Sequence, residues 1–355
     1  MRHAALLALI VLLGLPAPAA AARSEAPPPL AQAVIAAAAG RLDDQLAALA
    51  QSAKALGTAY AALYRDAAGP DPGERAKFLQ SYAVKDGTVA FRDAAGPCGG
   101  NPQGQAPCQA LLYYDGENFT DETFRALTAM ARLAPAMAAA HDAMPASWVY
   151  LTTPGQNFAI YPYLPLDEAV ANYQPTEKDF YTAADFAKRD CGWESPYLDL
   201  AGAGMMVTVS CPVYDGDTLL GVSSRDLTLA QLSRHGLADL AALPGARAVL
   251  MNRRGKAIAA SDPKVADFIV AANTKAGDAV VHFRDDRGLA ALGQEKYVES
   301  PDANLNDAAE MVLEQAEGER TRPIAFTRGK ELVLATRLPS TGWYLMLTLP
   351  QKAAR

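Results

Sequence analysis

Between the Pro-rich EAPPPL and the stop at Gly69, Pro70, Pro72 and Gly73, residues 31–66 carry one helical pattern without a proline. Leu42, Leu46, Leu49, Ala53, Leu56, Tyr60 and Leu63 recur at spacings of 4-3-4-3-4-3, which lines them up as a single apolar stripe. At 1.5 Å per residue such a helix is roughly 50 Å long. An apolar stripe of that length is costly to leave in water, so something must cover it from end to end. A second copy in a coiled-coil dimer fits the spacing. Folded units of the same chain, laid along the helix, fit it equally well.

The chain has 355 residues, enough for roughly two domains of ~150 residues, each with its own core. From Arg75 to Ser233 the pattern mixes strands, loops and helices. Gln109–Tyr114 is a short apolar run, and Thr120–Ala143 is helical, with Asp121 and Glu122 near its start. Trp148–Leu151 and Phe158–Tyr163 are strands around Pro154-Gly155. Met205–Tyr214 and Thr218–Leu229 alternate and meet at Asp215-Gly216-Asp217, a hairpin signal. A second unit begins near Leu243, with strands at Arg247–Met251, Lys256–Ala260 and Ala279–Phe283. Residues 284–322 are polar, partly helical, and show no clear strand. Pro323–Thr327, Glu331–Arg337 and Trp343–Leu349 close the chain as strands. Antiparallel strands with helices between them, lacking strict βαβ alternation, give an α+β fold. The expectation is a long N-terminal helix followed by two similar α+β units with antiparallel sheets.

Residues 1–22 have a short basic start (Arg2, His3), an apolar run from Ala4 to Leu15, Pro16 and Pro18, then small residues. That is the layout of a cleavable secretory signal, cut around Ala21–Arg23. The apolar run of ~12 residues is short for a bilayer core, which needs about 20; an uncleaved anchor is the competing account. Export makes disulfides plausible. Cys98 and Cys108 flank a Gly/Pro-rich loop that a disulfide could staple, which leaves Cys191 and Cys211 as the second pair. Four cysteines allow three pairings, and spacing does not choose among them. A periplasmic or secreted protein with no membrane span in its mature chain is expected.

A formal net charge of -7 argues against nucleic acid as a partner. His3, His141, His235 and His282 are scattered and form no HExxH, GxSxG or Cys-His pattern. No CxxC or neighbouring His suggests zinc, and no phosphate loop is visible. An enzyme is not expected, nor a cofactor or metal.

The segment from Tyr173 onward is different. It contains Phe180-Tyr181, W-x-x-P-Y-x-D at Trp193–Asp199, C-P-V-Y-D at Cys211–Asp215 and G-V-x-x-x-D at Gly221–Asp226. With the preceding helix and the closing L-P-S-T-G-W at Leu338–Trp343, these motifs resemble double Cache (dCache) sensor domains, the extracellular ligand-binding parts of chemoreceptors and sensor kinases. The resemblance spans essentially the whole mature chain. It implies that both antiparallel-sheet modules after the long N-terminal helix are PAS-like (Cache) modules, with boundaries at 1–22 (signal), 23–74 (helix), 75–235 (membrane-distal-type, ligand-binding module), 236–349 (membrane-proximal-type module) and 350–355 (tail). The family's amino-acid-binding members share a signature of Tyr, Arg, Trp-Tyr, Tyr and Asp. Tyr173, Tyr181, Tyr197 and Asp226 keep its residue types, while Lys178 stands at the Arg and Phe180 at the Trp.

By the same resemblance, the Arg and Trp side holds a ligand carboxylate, and the Tyr and Asp side its ammonium. Asp226 can accept a charge-assisted hydrogen bond from an ammonium, and the tyrosines can offer ring faces. Lys178 cannot reproduce the two-pronged contact of a guanidinium, and Phe180 lacks the indole N–H. An amine-bearing or amino-acid-like ligand is therefore expected. Trp148, Tyr161, Trp193 and Asp199 are further candidates for the pocket wall. The functional expectation is an exported dCache protein that binds a small amine or amino acid and signals through a separate membrane sensor kinase or chemoreceptor. The alternative is a dimerising structural protein with a vestigial pocket.

Overall fold

The computed structural model describes residues 29–67, 71–91, 108–144, 148–170, 173–199, 204–276, 280–293, 297–316 and 323–352. The signal segment and Cys98, hence the Cys98–Cys108 pairing, lie outside them. The Ala- and Leu-rich run after Pro29 forms α1 (Pro29–Asp66). Its stripe is buried against the chain's own sheets. Ile35, Leu42 and Leu46 share a core with Leu250, Leu334, Leu345 and Leu347. Leu49 and Ala53 pack on Val209 and Cys211. Leu56 and Tyr60 join Val89, Leu127 and Val149. Leu63, the last stripe position, is only half-buried. At Gly57 the helix comes so close to the sheet that a Cβ would lie 2.6 Å from Val213 Cγ2.

The first unit contains α2 (Pro72–Gln80), β1 (Tyr82–Lys85), β2 (Thr88–Phe91), β3 (Ala110–Tyr113), α3 (Asp121–Ala131), α4 (Ala134–Ala143), β4 (Val149–Thr152), β5 (Asn157–Tyr161), α5 (Asp179–Thr182), β6 (Gly192–Leu198), β7 (Met205–Asp215) and β8 (Thr218–Thr228). Its eight strands form one antiparallel sheet in the order β1-β2-β3-β5-β4-β8-β7-β6. Asp86-Gly87, both at positive φ, turn β1 into β2 as a two-residue hairpin requires. The helical stretch Thr120–Ala143 is two helices rather than one. Pro135 has no N–H to give and its ring crowds the preceding turn, so the chain restarts at α4. Leu127, Met130 and Met137 of α3 and α4 join the core under α1. The opposite face of the sheet carries a second, aromatic cluster containing Tyr150, Phe158, Phe180 and Val222.

The second unit follows through α6 (Leu229–Gln231) and α7 (Ala238–Ala241). It contains β9 (Arg247–Met251), β10 (Ala257–Ala260), α8 (Pro263–Ala276), β11 (Val280–His282), α9 (Asp286–Ala291), β12 (Tyr297–Glu299), α10 (Ala303–Ala316), β13 (Ile324–Arg328), β14 (Glu331–Arg337) and β15 (Tyr344–Pro350). Five strands form an antiparallel sheet in the order β10-β9-β15-β14-β13. β12 is a strand inside the stretch expected to have none, and it pairs parallel with β11, the one exception to the antiparallel expectation among the described strands. Three residues are too few to show a period-2 pattern. The two units touch through Trp193 and Trp343, whose ring centroids are 5.3 Å apart. The architecture is α+β, a long helix followed by two PAS-like sheets. No helix among the described residues is long and apolar enough to cross a membrane.

Candidate functional site

Period-2 alternation along β8 sends its polar residues to opposite faces. Ser223 and Arg225 face α1, while Val222, Ser224 and Asp226 face the aromatic cluster. Arg225 is fully buried and donates to Ser52 Oγ of α1 (2.6 Å) and to the carbonyl of Met144 (3.2 Å). Across the ladder, Asp226 pairs with Thr208 and Ser224 with Ser210. The Ser210 hydroxyl donates to the carbonyl of Phe180, which fastens α5 over the sheet.

These elements enclose a cavity of about 590 Å³, within the range of small-molecule sites. Asp226 lies at its floor and is 2% exposed. Its Oδ1 accepts from the Tyr150 hydroxyl (2.9 Å) and from Thr208 Oγ1 (2.7 Å). The Tyr197 hydroxyl lies 2.6 Å from Thr208 Oγ1 and, since Thr208 gives its proton to Asp226, acts as the donor there. Both bonds to the carboxyl fall on Oδ1, so Oδ2 is the oxygen left for a ligand. Beside it, Trp148 Nε1 donates to Asp199 Oδ2 at 3.0 Å, and the Trp148 carbonyl accepts from the Asp226 N–H at 3.1 Å. Phe180 stands edge-on to Tyr150 at 5.2 Å. Lys178 holds its ammonium 4.9 Å from the centre of the Tyr173 ring.

Burial pushes the Asp226 carboxyl up to about 8, against the hydrogen bonds from Thr208 and Tyr150; nearby Asp199 pushes the same way and Arg225 opposes it. Burial likewise raises the Tyr150, Tyr173 and Tyr197 phenols, with the Asp226 charge adding to each. They remain protonated donors at neutral pH. A cation entering the cavity would meet one desolvated carboxyl, a second at Asp199 and several ring faces, an environment in which an ammonium interacts far more strongly than in water. No cluster of His, Cys, Asp and Glu suited to a metal occurs among the described residues.

Of the residues singled out from the sequence, Tyr173, Lys178, Phe180, Tyr197 and Asp226 line the cavity, as do Trp148 and Asp199. Tyr181 does not; its ring packs on Phe186 at 5.7 Å. Tyr161 faces the other side of the sheet, against His141, and Trp193 is taken up by Trp343. Cys191 and Cys211 form a disulfide, joining the start of β6 to β7 behind the cavity. Sequence reasoning missed Tyr150, Thr208 and Tyr114. Tyr150 is two residues from Trp148, so strand periodicity already put both on one face. Thr208 becomes visible only through its register with Asp226. Lys256 and Val280 also line the cavity, and no local signal marks them.

Residues 125–234 match the family model of the methyl-accepting chemotaxis protein-like first PDC sensor domain. The match bears out the sensor-domain resemblance in the segment that holds Trp148, Tyr173 and Asp226. No curated protein matches the chain. Similar solved structures include the ligand-binding domain of the Pseudomonas fluorescens chemoreceptor CtaA in complex with L-serine, 16% identical, covering 63% of this chain and 80% of that one at a TM-score of 0.38. The ligand-binding domain of the Pseudomonas aeruginosa PAO1 amino acid chemoreceptor PctC, in complex with GABA, is 19% identical over 62% of this chain and 81% of that one, with a TM-score of 0.39. That of P. aeruginosa PAO1 PctB, in complex with L-Gln, is 17% identical over 59% and 70% at 0.36.

Proposed function

We propose that the chain is a sensing module whose first unit, residues 75–235, binds a small amine or amino-acid-like molecule, with Asp226 as the ammonium acceptor. The observation that carries this reading is the buried Asp226 carboxyl, held on one oxygen by Tyr150 and Thr208 at the floor of an aromatic cavity. Tyr173, Tyr197, Trp148 and Phe180 wall the ammonium end, and Asp199 adds charge there. Residues 236–349 act as the membrane-proximal-type module. In this reading the module is exported and reports its ligand through a separate membrane sensor kinase or chemoreceptor, and it carries no catalytic step.

A thermal-shift screen against monoamines, polyamines, amino acids and small carboxylates tests it. At 100 times its Kd, a ligand adds about 2.7 kcal/mol to stability. We expect shifts from ammonium-bearing compounds that disappear in Asp226→Ala. Shifts confined to carboxylates without an amine, or retained in Asp226→Ala, would overturn the assignment.

A further inference from the structure

The cavity wall is not supplied by the first sheet alone. Lys256, just before β10, and Val280, at the start of β11, complete it from the second unit. The backbone at Lys256 is fixed. Its N–H donates to Asn252 Oδ1 at 3.0 Å, its carbonyl accepts from the Asn252 N–H at 3.1 Å, and it bridges to His282. Gly255 before it sits at φ +83, where a Cβ would run into the Arg284 side chain at 2.5 Å. The half-buried Lys256 side chain has no ion pair or hydrogen bond with any described residue.

The charges on the wall are uneven. Glu168, Asp179, Glu194, Asp199 and Asp226 are acidic, and Lys178 and Lys256 are the lining cations. Lys178 is held over the Tyr173 ring. That leaves Lys256 as the lining ammonium with no partner among the described residues, on the wall of the same cavity as Asp226. We infer that Lys256 receives the carboxylate of a zwitterionic ligand whose ammonium sits at Asp226, so that the ligand spans from the first unit to the second. The inference rests on the amine-site reading of Asp226 and adds to it the ligand's second charge and the residue that meets it. A compound of this class is held by both units at once.

Titration calorimetry on the full chain tests this with straight-chain ω-amino acids, from glycine to 6-aminohexanoate, beside alkylamines of matched length. The proteins are the wild type, Lys256→Gln, Lys256→Arg, Lys178→Gln and Asp226→Asn. Removing a charge-assisted contact should weaken the best-binding amino acid about tenfold or more in Lys256→Gln. The matched alkylamine should stay within about twofold, Lys256→Arg should retain amino-acid binding, and Lys178→Gln should not reproduce the split. Equal weakening of amine and amino acid in Lys256→Gln, or no weakening of either, overturns the role of Lys256. Amine binding that survives Asp226→Asn overturns the amine-site reading instead, and a wild type that binds no compound of either series overturns both.

Discussion

A carboxyl that burial keeps protonated until about pH 8 can hold an ammonium as an ion pair only by releasing its proton. In the empty cavity the folded chain retains a proton that the unfolded chain, with an ordinary value of 3.8, has already lost. The contribution of Asp226 to stability is therefore full below about pH 4 and is lost as the pH rises through about 8. An ammonium favours the charged form. Apparent affinity for an amine should thus rise with pH, by up to about tenfold per unit between pH 6 and 8, then level off. Binding at pH 7 should release about one proton, read by calorimetry in buffers of different ionisation enthalpy. Flat affinity over that range with no proton release would show that the ammonium sits elsewhere. At this scale the sequence was informative where residue type carries the chemistry, as with Tyr173, Tyr197 and Asp226. Tyr181 and Trp193 have the right chemistry too, but the short helix α5 aims Tyr181 at Phe186 and strand β6 aims Trp193 at Trp343. Type alone does not tell direction.

Elements decide how firmly the wall stands. β6 brings Glu194, Pro196, Tyr197 and Leu198 to the cavity, yet it is an edge strand whose register with β7 shifts between Glu194 and Tyr197. The Cys191–Cys211 disulfide joins the two strands across 20 residues of sequence. Closing a loop of that length removes about 3 kcal/mol of unfolded-chain entropy. A Cys191→Ser/Cys211→Ser double variant should lose about that much stability in urea unfolding, and its amine affinity should fall because Tyr197 is less well held. A loss under about 1 kcal/mol would mean that strand pairing alone keeps β6 in place. The long alternating strands β7 and β8 were legible because eleven residues each give the period time to show. β12 and the break between α3 and α4 were not: the one is too short, and the other depends on a single proline within an otherwise continuous pattern.

Across the whole molecule, α1 is the element that both sheets share. Leu46, fully buried, belongs to the core with Leu250 and Leu345, while Tyr60 on the same helix belongs to the core of the first sheet. Leu46→Ala should cost about 2–5 kcal/mol, and because the helix is common property the two units should melt in a single calorimetric transition in both proteins. Two resolved transitions, with only the later residues affected by the substitution, would show that the units are energetically separate. The spacing of the stripe foretold its burial but left the partner open, because a coiled coil and a pair of sheets make the same demand on one helix face. Asp43 of α1 accepts hydrogen bonds from Ser340, 297 residues further on. The N-terminal half of α1, with Ile35, Leu42 and Leu46, thus finds part of its cover only in the β14–β15 hairpin, while its later turns pack on the first sheet. Closing that end of the molecule depends on contacts of long sequence separation, which are slow to form, and until they form the apolar face of the helix is open to wrong partners.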